Sequence, residues 1–405
     1  MATRRLYYDD SFIENFEAEL LSCELALPSA AAQAPAPSWE AVLDRTAFYP
    51  TSGGQPHDTG KLGDANVLEV REEEDGEIVH IVDAPLETGE IKGCVNWPRR
   101  FDHMQQHTGQ HLLSAMFQER FGLPTVSFHL GSEICTIDLR GPEPTDAILE
   151  GAERAANHVV FQDRPVIVRY GTAEQFAELG VRKEVEREGI LRAIEIEGAD
   201  LQPCGGTHVQ RTGQIGTILV RHCTKMRQDW RVEFVCGRRA ERVARQDFIL
   251  LRGVAERLQC AHDDVVFAAD RVLNERDEHF KTAQIYLHRL TAADAALLLQ
   301  ATDRDADGLR RIVRVFQDEV ETEYLGQFAA RLANSEKTIA LLARIPCGSL
   351  IFAQHSSAGK DMNALLKQVL QQFGGKGGGT RDFARGKLAD ASQTERAIEA
   401  AKAEL

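Results

Sequence analysis

The chain has 405 residues and a formal net charge of −15, with 43% hydrophobic and 27% charged residues. This length exceeds that of one ordinary domain core, so we expect two or three domains. The negative net charge argues against non-specific binding of nucleic acid, but it is compatible with a local basic surface that binds RNA. The sequence shows neither a signal peptide nor an apolar run long enough to span a bilayer, and its eight cysteines are typical of reduced thiols. We therefore expect a cytoplasmic protein with no membrane partner.

Residues 1–98 predict a small β-barrel. Short runs that alternate apolar and polar residues are separated by glycine, proline and acidic turns, as in closed all-β domains. The predicted strands are 12–23, 39–48, 66–72, 77–82 and 90–95, and the Ala/Pro-rich segment 29–38 is predicted as a surface loop. Gly53 and Gly54 allow positive φ and a close backbone approach, and Gln55 offers both a donor and an acceptor. Taken alone, this segment favours a tight hairpin turn.

Residues 99–237 predict a domain of α+β type, so that the whole chain is expected to be an α+β multidomain protein. Residues 99–103 lead into a helix that carries His107 and His111, because apolar residues recur at helical spacing from Leu112 onward. The other predicted helices are 144–161, capped by Thr145, and 173–188. The predicted strands are 136–139, 166–170, 191–196, 215–221 and 231–235.

Four side chains of this domain predict a zinc site. His107 and His111 lie four residues apart on the helix, so both imidazoles project from one face. Cys204 and His208 flank a Gly-Gly-Thr turn that can bring a thiolate and an imidazole to the same point. One thiolate and three imidazoles suit a single tetrahedral Zn²⁺ ion per chain. The helix lacks the glutamate of a His-Glu-x-x-His metalloprotease. Whether the zinc is catalytic or structural stays open, because four protein ligands fill a tetrahedron.

Residues 238–301 predict a long helical linker, and residues 302–405 predict a C-terminal α/β domain. The linker is nearly free of glycine and proline and contains two long helices with a break at 260–264, where Asp263 or Asp264 can cap the second. It serves either as a solvated spacer or as the interface of a homodimer, for which the C-terminal domain is an alternative. In that domain we predict strands 312–316, 338–342 and 349–353, and helices 321–334 and 362–373.

Two basic segments are candidates for RNA contact. Between residues 221 and 245 the cations outnumber the acids, although a solvated surface explains this segment equally well. Its cations are Arg221, Lys225, Arg227, Arg231, Arg238, Arg239, Arg242 and Arg245. Residues 373–388 place five glycines around Lys376, followed by Arg381 and Arg385. This pattern predicts a loop of exposed backbone amides suited to a phosphate or an RNA backbone, with a plain flexible loop as the alternative.

Several motifs, taken in their order along the chain, resemble those of one protein family. HTGQHLLS at 107–114, CGGTH at 204–208 and TGQIG at 212–216 resemble the editing domain of alanyl-tRNA synthetase and of its freestanding relatives, the AlaX proteins. AFYPTSGGQPHDTG at 47–60 is similar to the glycine-rich motif of the longer AlaX forms. FGGKGGGTRDFARG at 373–386 resembles the C-terminal, DHH-associated domain of the synthetases. No room for an aminoacylation domain precedes Ala47, so the chain resembles a long-form AlaX protein.

The resemblance implies hydrolysis of the ester that joins a wrong amino acid, chiefly serine and secondarily glycine, to tRNA(Ala). It implies His107, His111, Cys204 and His208 as zinc ligands and Thr125 as the residue that recognises the seryl hydroxyl. It also implies that Gln55, with Gly53 and Gly54, approaches the aminoacyl end. An aminoacyl ester is already activated, so such a site needs orientation, a water molecule and stabilisation of an oxyanion more than a strong nucleophile. The alternatives are editing of another mischarged tRNA, such as Ser-tRNA(Thr), or a non-catalytic tRNA-binding protein with a structural zinc.

Overall fold

The computed structural model describes residues 2–26, 37–182, 189–317 and 321–405, which fall into two compact units, Met1–Gly253 and Val254–Leu405. The predicted mixed α+β, multidomain architecture is confirmed. Most of the predicted loop 29–38 and the last residues of the predicted helix 173–188 lie outside the described ranges. Within those ranges, none of the helices combines the length and apolar character that a bilayer span requires.

The N-terminal domain is a closed six-stranded barrel, as predicted. Its elements are β1 (Arg4–Arg5), α1 (Leu6–Asp9), β2 (Asn15–Leu25), β3 (Trp39–Leu43), β4 (Arg45–Thr46), β5 (Gly60–Leu62), β6 (Ala65–Glu72), β7 (Ile78–Val82) and β8 (Gly89–Val95). The barrel runs in the order β2-β3-β7-β6-β5-β8, and β8 pairs with β2 to close it. The predicted strand 39–48 is two shorter strands, and β5 was missed because three residues carry too little alternation to be recognised.

The next domain places a long helix against a four-stranded sheet. Its elements are α2 (Trp97–Phe121), β9 (Thr125–Leu130), β10 (Cys135–Arg140), α3 (Asp146–Phe161), β11 (Val166–Gly171), α4 (Ala173–Glu178), β12 (Leu191–Ile196), β13 (Asp200–Pro203), β14 (Ile218–Met226), β15 (Asp229–Cys236) and α5 (Gly237–Leu258). The strands form two sheets, in the orders β14-β15-β10-β9 and β11-β12-β13. Helices α2 and α3 share one buried core with the first sheet. Strands β9 and β13 were not predicted.

Helix α2 begins earlier than its apolar pattern indicates. Residues 99–103, predicted as a lead-in segment, are already helical. The Asn96 side chain caps the helix by accepting a hydrogen bond from the Arg99 amide, and Pro98 lies in the first turn, where an amide has no helical partner. The helix ends at Gly122, whose φ of +67° suits glycine.

The C-terminal unit is built on a five-stranded sheet with helices on both faces. Its elements are α6 (Val265–Ala301), β16 (Arg310–Phe316), α7 (Thr322–Ala333), β17 (Thr338–Arg344), β18 (Ser349–Gln354), α8 (Met362–Phe373), β19 (Gly375–Gly379), β20 (Phe383–Leu388) and α9 (Thr394–Ala403). The sheet order is β16-β17-β18-β20-β19, and separate apolar cores lie on its two faces. The predicted break near 260–264 falls where α6 begins. Asp264 is the N-cap residue, but its side chain makes no capping hydrogen bond.

The glycine-rich segment at 373–388 is a β-hairpin, so the prediction of a loop was wrong. Strand β19 pairs antiparallel with β20, and residues Gly375 to Gly379 supply the edge strand. A Cβ at Gly377 would lie 2.5 Å from the Gly386 Cα and 2.8 Å from a methyl carbon of Leu370. The glycines therefore allow the hairpin to lie directly on α8, which a strand with side chains on that face could not do.

A buried ion pair joins α2 to the N-terminal barrel. Arg100 and Asp58 are both completely buried, and Arg100 Nε lies 3.0 Å from each carboxylate oxygen of Asp58. The guanidinium also donates to the carbonyl oxygens of Ser11 and Ala47. Asp58 in turn accepts a 2.7 Å hydrogen bond from the Tyr49 amide. These bonds satisfy both charges, so the pair sets the position of the helix on the barrel.

We expect Asp58→Ala to destabilise the unit that contains the barrel by about 3–5 kcal/mol, because Arg100 would be left buried without a counter-charge. All three tryptophans, Trp39, Trp97 and Trp230, lie in that unit. Urea unfolding followed by tryptophan fluorescence therefore measures the change. The control is Glu17→Ala, which breaks an ion pair with Lys92 whose side chains are 80% and 84% exposed. An equal effect of both variants would contradict the prediction.

Candidate metal centre and its cavity

Helix α2 presents His107 and His111 from one face, as their spacing predicts. Each residue is only 3% exposed, because α2 lies in the core of its domain. Gly109, between them, faces the sheet, where a Cβ would lie 2.3 Å from the Cys236 sulfur. This glycine lets α2 pack directly on β15 and so fixes the height of the two imidazoles above the sheet.

Cys204 and His208 lie on the turn that follows β13. Gly206, within this turn, touches the His107 ring: a Cβ at this position would lie 2.2 Å from Cε1 of His107 and 2.9 Å from Oε1 of Gln55. Only glycine therefore lets the turn approach α2 closely enough to bring the two pairs together.

The four predicted ligands do meet at one point. Their donor atoms all lie within 4.8 Å of one another. Cys204 Sγ is 3.2 Å from Nε2 of His208 and 3.5 Å from Nε2 of His107. One sulfur and three imidazole nitrogens form a donor set that fits a tetrahedral metal ion of borderline softness. The cluster can therefore hold a metal ion.

A second layer of hydrogen bonds orients the three histidines. Oε1 of Gln55 lies 2.8 Å from Nδ1 of His107, and Oδ2 of Asp200 lies 3.0 Å from Nδ1 of His111. Thr108 Oγ1 lies 3.1 Å from Nδ1 of His208. Because each Nδ1 is engaged, each Nε2 is left to face the common centre, as in many protein metal sites.

The charges of the cluster suit metal binding. Burial raises the pKa of Cys204, but His107 and His208 overcome this effect and hold that pKa well below its usual value. The thiolate, which is the metal-binding form, is thus favoured. Burial lowers the pKa of His111, but Asp200 and Cys204 raise it to about 9. Burial lowers the pKa of His208 to about 3. Metal binding would release the proton of His111.

The cluster opens into a cavity of about 320 Å³, a volume at the low end for small-molecule sites. Phe128 forms one wall and stacks on His107 with ring centroids 5.3 Å apart. Arg182 is the only lysine or arginine in the described lining, which contains no aspartate or glutamate. The lining residues are Tyr49, Ser52, Gly53, His107, Gln110, His111, Thr125, Val126, Ser127, Phe128, Arg182, Gln202, Pro203, Cys204, Gly205 and Gly206.

Arg182 and Asp200 link this cavity to a larger one of about 870 Å³. Nε of Arg182 donates a 2.7 Å hydrogen bond to Oδ1 of Asp200, whose other oxygen faces His111. The Asp200 carboxylate therefore bonds both to His111, a predicted metal ligand, and to Arg182, the cation of the cavity. Asp200, Thr108 and Arg182 were not predicted from the sequence, because no local pattern marks a side chain whose partner is distant in the sequence.

Comparison with known proteins identifies the family. The model of the threonyl and alanyl tRNA synthetase second additional domain matches residues 191–232, which contain Cys204 and His208, and the DHHA1 domain model matches residues 309–405. The alanyl-tRNA editing protein AlaX-L of Pyrococcus horikoshii is 31% identical over 95% of this chain and 94% of its own length. The chain belongs to the family of alanyl-tRNA editing proteins.

Other relatives are consistent with this family. The alanyl-tRNA editing protein Aarsd1 of Rattus norvegicus is 28% identical over 95% of this chain and 94% of its own length. The alanine–tRNA ligase of Pyrococcus abyssi is 28% identical over 98% of this chain but only 43% of its own length. The chain of this alanyl-tRNA editing protein therefore corresponds to less than half of the ligase.

The predicted substrate-facing residues of this editing protein occupy different positions. Gly53 and Thr125 line the cavity, and Thr125 Oγ1 donates a 2.7 Å hydrogen bond to Ser114. Gly54 packs on β9, where a Cβ would lie 2.8 Å from the Phe128 carbonyl oxygen. Gln55 is fully buried, and besides accepting from His107 it donates to Thr207 Oγ1 at 2.8 Å. Gln55 is thus placed to position His107, and its predicted contact with substrate stays a prediction.

The predicted RNA-binding residues of 221–231 lie away from the cavity. Arg221 and Lys225 lie on β14, which is one edge of its sheet, and Arg231 lies on β15 next to it. Strand β9, which lines the cavity, is the other edge, so roughly 14 Å separates β14 from β9 at three strand spacings. Arg221 forms an ion pair with Asp247, and Nε and Nη2 of Arg231 donate hydrogen bonds to the Asp138 carboxylate. Lys225 lies over the Trp230 ring, and Arg227 is exposed at a φ of +55°.

The predicted RNA-binding residues of the C-terminal unit also have defined positions. Lys376 is exposed on β19, whereas Arg381 donates to the backbone carbonyl oxygens of Gly359 and Lys360. Their contact with RNA, like that of residues 221–231, stays a prediction.

We expect Cys204→Ala to lose bound metal, because three imidazoles alone leave one position of the tetrahedron without a protein ligand. Mass spectrometry of the purified protein for metals, after dialysis against a weak chelator, measures the content per chain. The matched control is Cys223→Ala, which removes another half-buried thiol outside the cluster. Equal metal content in both variants would show that Cys204 is not a ligand.

We expect Gln55→Ala to weaken metal affinity by roughly 10- to 100-fold, because His107 would lose the acceptor that fixes its tautomer and orientation. Titration against a chromogenic chelator measures this affinity. The control, Gln162→Ala, removes a glutamine whose side chain bonds at the surface to His158 and Arg164. If the affinity of Gln55→Ala equals that of the wild type, this second-layer role is refuted.

Proposed function

We propose that this protein hydrolyses the ester between serine and tRNA(Ala), with glycyl-tRNA(Ala) as a second substrate. The observation that carries the proposal is a four-donor metal cluster beside an open cavity, in a chain 31% identical over 95% of its length to an alanyl-tRNA editing protein. A protein that removes wrong amino acids from released tRNA acts in trans, and we propose that it does so in the cytoplasm.

We propose Zn²⁺, one ion per chain, as the metal that His107, His111, Cys204 and His208 would hold. The donor set supports this choice, because one thiolate with three imidazoles suits zinc better than the oxygen-preferring cations. When bound, such an ion supplies Lewis-acid character and a fixed point for orienting the aminoacyl group. Gln55, Thr108 and Asp200 would hold the imidazoles in the orientation that this task requires.

We assign recognition of the seryl hydroxyl to Thr125. Its Oγ1 lines the cavity and is already in a hydrogen bond with Ser114, so the pair offers an oriented donor and acceptor. A polar pocket of this kind favours serine over alanine, because the methyl group of alanine cannot make the hydrogen bond that the seryl hydroxyl makes. Among the described lining residues there is no carboxylate to act as a general base, so a bound water or the terminal ribose hydroxyl of the substrate would carry the proton.

The remaining assignments follow the order of the chain. We propose a barrel domain at 1–98, an editing domain at 99–237, a helical linker at 238–301 and a DHH-associated domain at 302–405.

We also propose a homodimer. Residues 270–283 of α6 are all exposed, including the apolar Leu273 and Phe280. A helical stretch of this length is marginal in water without packing, so a second copy is a natural partner.

The proposed function predicts that the wild type hydrolyses Ser-tRNA(Ala) and that Cys204→Ala is slower by roughly 100-fold or more, because the cluster would no longer orient and polarise the ester. Release of radiolabelled serine measures the rate. Cys223→Ala is the control and should match the wild type. Circular dichroism confirms that both variants are folded.

Two other outcomes would overturn the proposal. If the wild type leaves Ser-tRNA(Ala) intact and cleaves Ser-tRNA(Thr), the protein edits a different tRNA. If it binds tRNA(Ala) and cleaves neither ester, it is a binding protein with a structural metal. The first alternative has support from the domain model at 191–232, whose description names both the threonyl and the alanyl synthetases.

A further inference from the structure

A second cavity, of about 550 Å³, lies between the first turns of α2 and α5. We call it the arginine cavity, because four of its lining residues are arginines. Its described lining consists of Pro56, Pro98, Arg99, Asp102, His103, Gly131, Ser132, Arg238, Arg239 and Arg242. The metal centre does not use any of these residues.

The positive charge of this cavity is only partly neutralised. Asp102, its one carboxylate, is bound by Arg239 at 2.6 Å, and Arg242 pairs with Glu133 at 2.7 Å. Among the described residues, no carboxylate lies in ion-pair contact with Arg99 or Arg238. These two arginines thus lack a direct ion pair, although Asp58 and Asp102 favour the charged form of Arg99 from a longer distance.

A buried histidine nitrogen in the lining also lacks a partner. His103 is 3% exposed, and its Nδ1 has no hydrogen-bond partner among the described residues. Burial, reinforced by Arg99 and Arg239, lowers the pKa of His103 to about 3. Burial is also the main cause that lowers the pKa of Arg99; Asp58 and Asp102 act in the opposite direction, and Arg239 adds to the lowering.

The backbone adds to this field. Helices α2 and α5 both begin at the cavity, and the amino-terminal end of a helix carries partial positive charge. Phosphate groups commonly bind at such helix ends. Two guanidinium groups without a direct ion pair, an unpaired buried imidazole nitrogen and two helix termini together favour a phosphate as the ligand.

Three segments of the chain contribute neighbouring residues to the arginine cavity and to the metal-site cavity. His103 precedes the ligand His107 by one helical turn, about 6 Å along α2. The turn that contributes Gly53 to the first cavity contributes Pro56 to the second, and β9 leads from Phe128 to the loop at Gly131.

We propose that the arginine cavity binds a backbone phosphate of the substrate RNA, a short distance from the 3′ end that occupies the metal-site cavity. This inference rests on the proposed function. The phosphate site is additional to the RNA contacts predicted for residues 221–245 and 373–388. Its residues Arg238, Arg239 and Arg242 belong to the first of these two segments. Arg239 is held by Asp102 and by the Gly131 carbonyl oxygen, so it shapes the cavity. Nε of Arg99 donates to the His57 carbonyl oxygen at 3.0 Å, so its terminal nitrogens and the exposed Arg238 would contact the phosphate.

The test is the double variant Arg99→Gln with Arg238→Gln in the full-length, metal-loaded protein. We expect roughly 10- to 100-fold weaker binding of tRNA(Ala), and a salt dependence of log Kd that is shallower by about one to two phosphate contacts. In hydrolysis of Ser-tRNA(Ala) the loss should appear in KM rather than kcat. The charge-matched control is Arg140→Gln with Arg154→Gln, which removes two exposed arginines whose partners are Asp229 and Glu150.

The outcomes separate this proposal from the proposed function. If both double variants bind tRNA(Ala) equally, or if the loss lies in kcat with metal content unchanged, the phosphate site is refuted. If the wild type fails to cleave the ester while the binding difference persists, the proposed function fails and the phosphate site stands. Inorganic phosphate serves as a second probe. Tight binding of phosphate that depends on Arg99 and Arg238, without any effect of the variants on tRNA, would assign the cavity to a free anion instead and overturn the proposal.

Discussion

The hydrogen bonds to the three imidazole Nδ1 atoms determine where the Nε2 atoms of the cluster meet. Each bond comes from a different part of the chain: Gln55 from the barrel domain, Thr108 from α2 and Asp200 from β13. An imidazole without such a bond can rotate and can exchange tautomers. Spacing on a helix brings two rings to one face, but only these contacts aim the nitrogens at one point. The cavity, its stacked Phe128 wall and its single arginine are arranged around that point.

The four residues of the cluster could be predicted from the sequence, whereas the residues that orient them could not. His107 and His111 are four apart on a helix, and Cys204 and His208 flank a glycine turn, so local spacing is sufficient to find both pairs. Gln55 drew attention because of its glycine neighbours, yet the geometry places it behind His107 and not in the open cavity. Contacts that cross 152 residues, such as Gln55 with Thr207, leave no trace in a local pattern.

The run of cations and the glycine-rich segment were poorer predictors of structure and function, because here too distant contacts decide the outcome. Arg221 and Arg231 stand in a basic run, but carboxylates from other elements, Asp247 and Asp138, pair with them in the fold. The five glycines around Lys376 read as a loop because they carry no apolar alternation. Their strand is set by pairing with β20 and by the closeness of Leu370 beneath it. In both segments, tertiary neighbours decide what the residues do.

The buried position of Gln55 has a consequence for how such proteins can be divided or exchanged. A fragment that begins at α2 would contain every sulfur and nitrogen donor of the cluster, yet it would lack the amide oxygen that His107 needs and the carboxylate that Arg100 needs. The first 96 residues are therefore not a detachable module. In a chimera with a junction near residue 97, we expect folding and metal binding to be preserved only when the two parents share the residues that make these contacts.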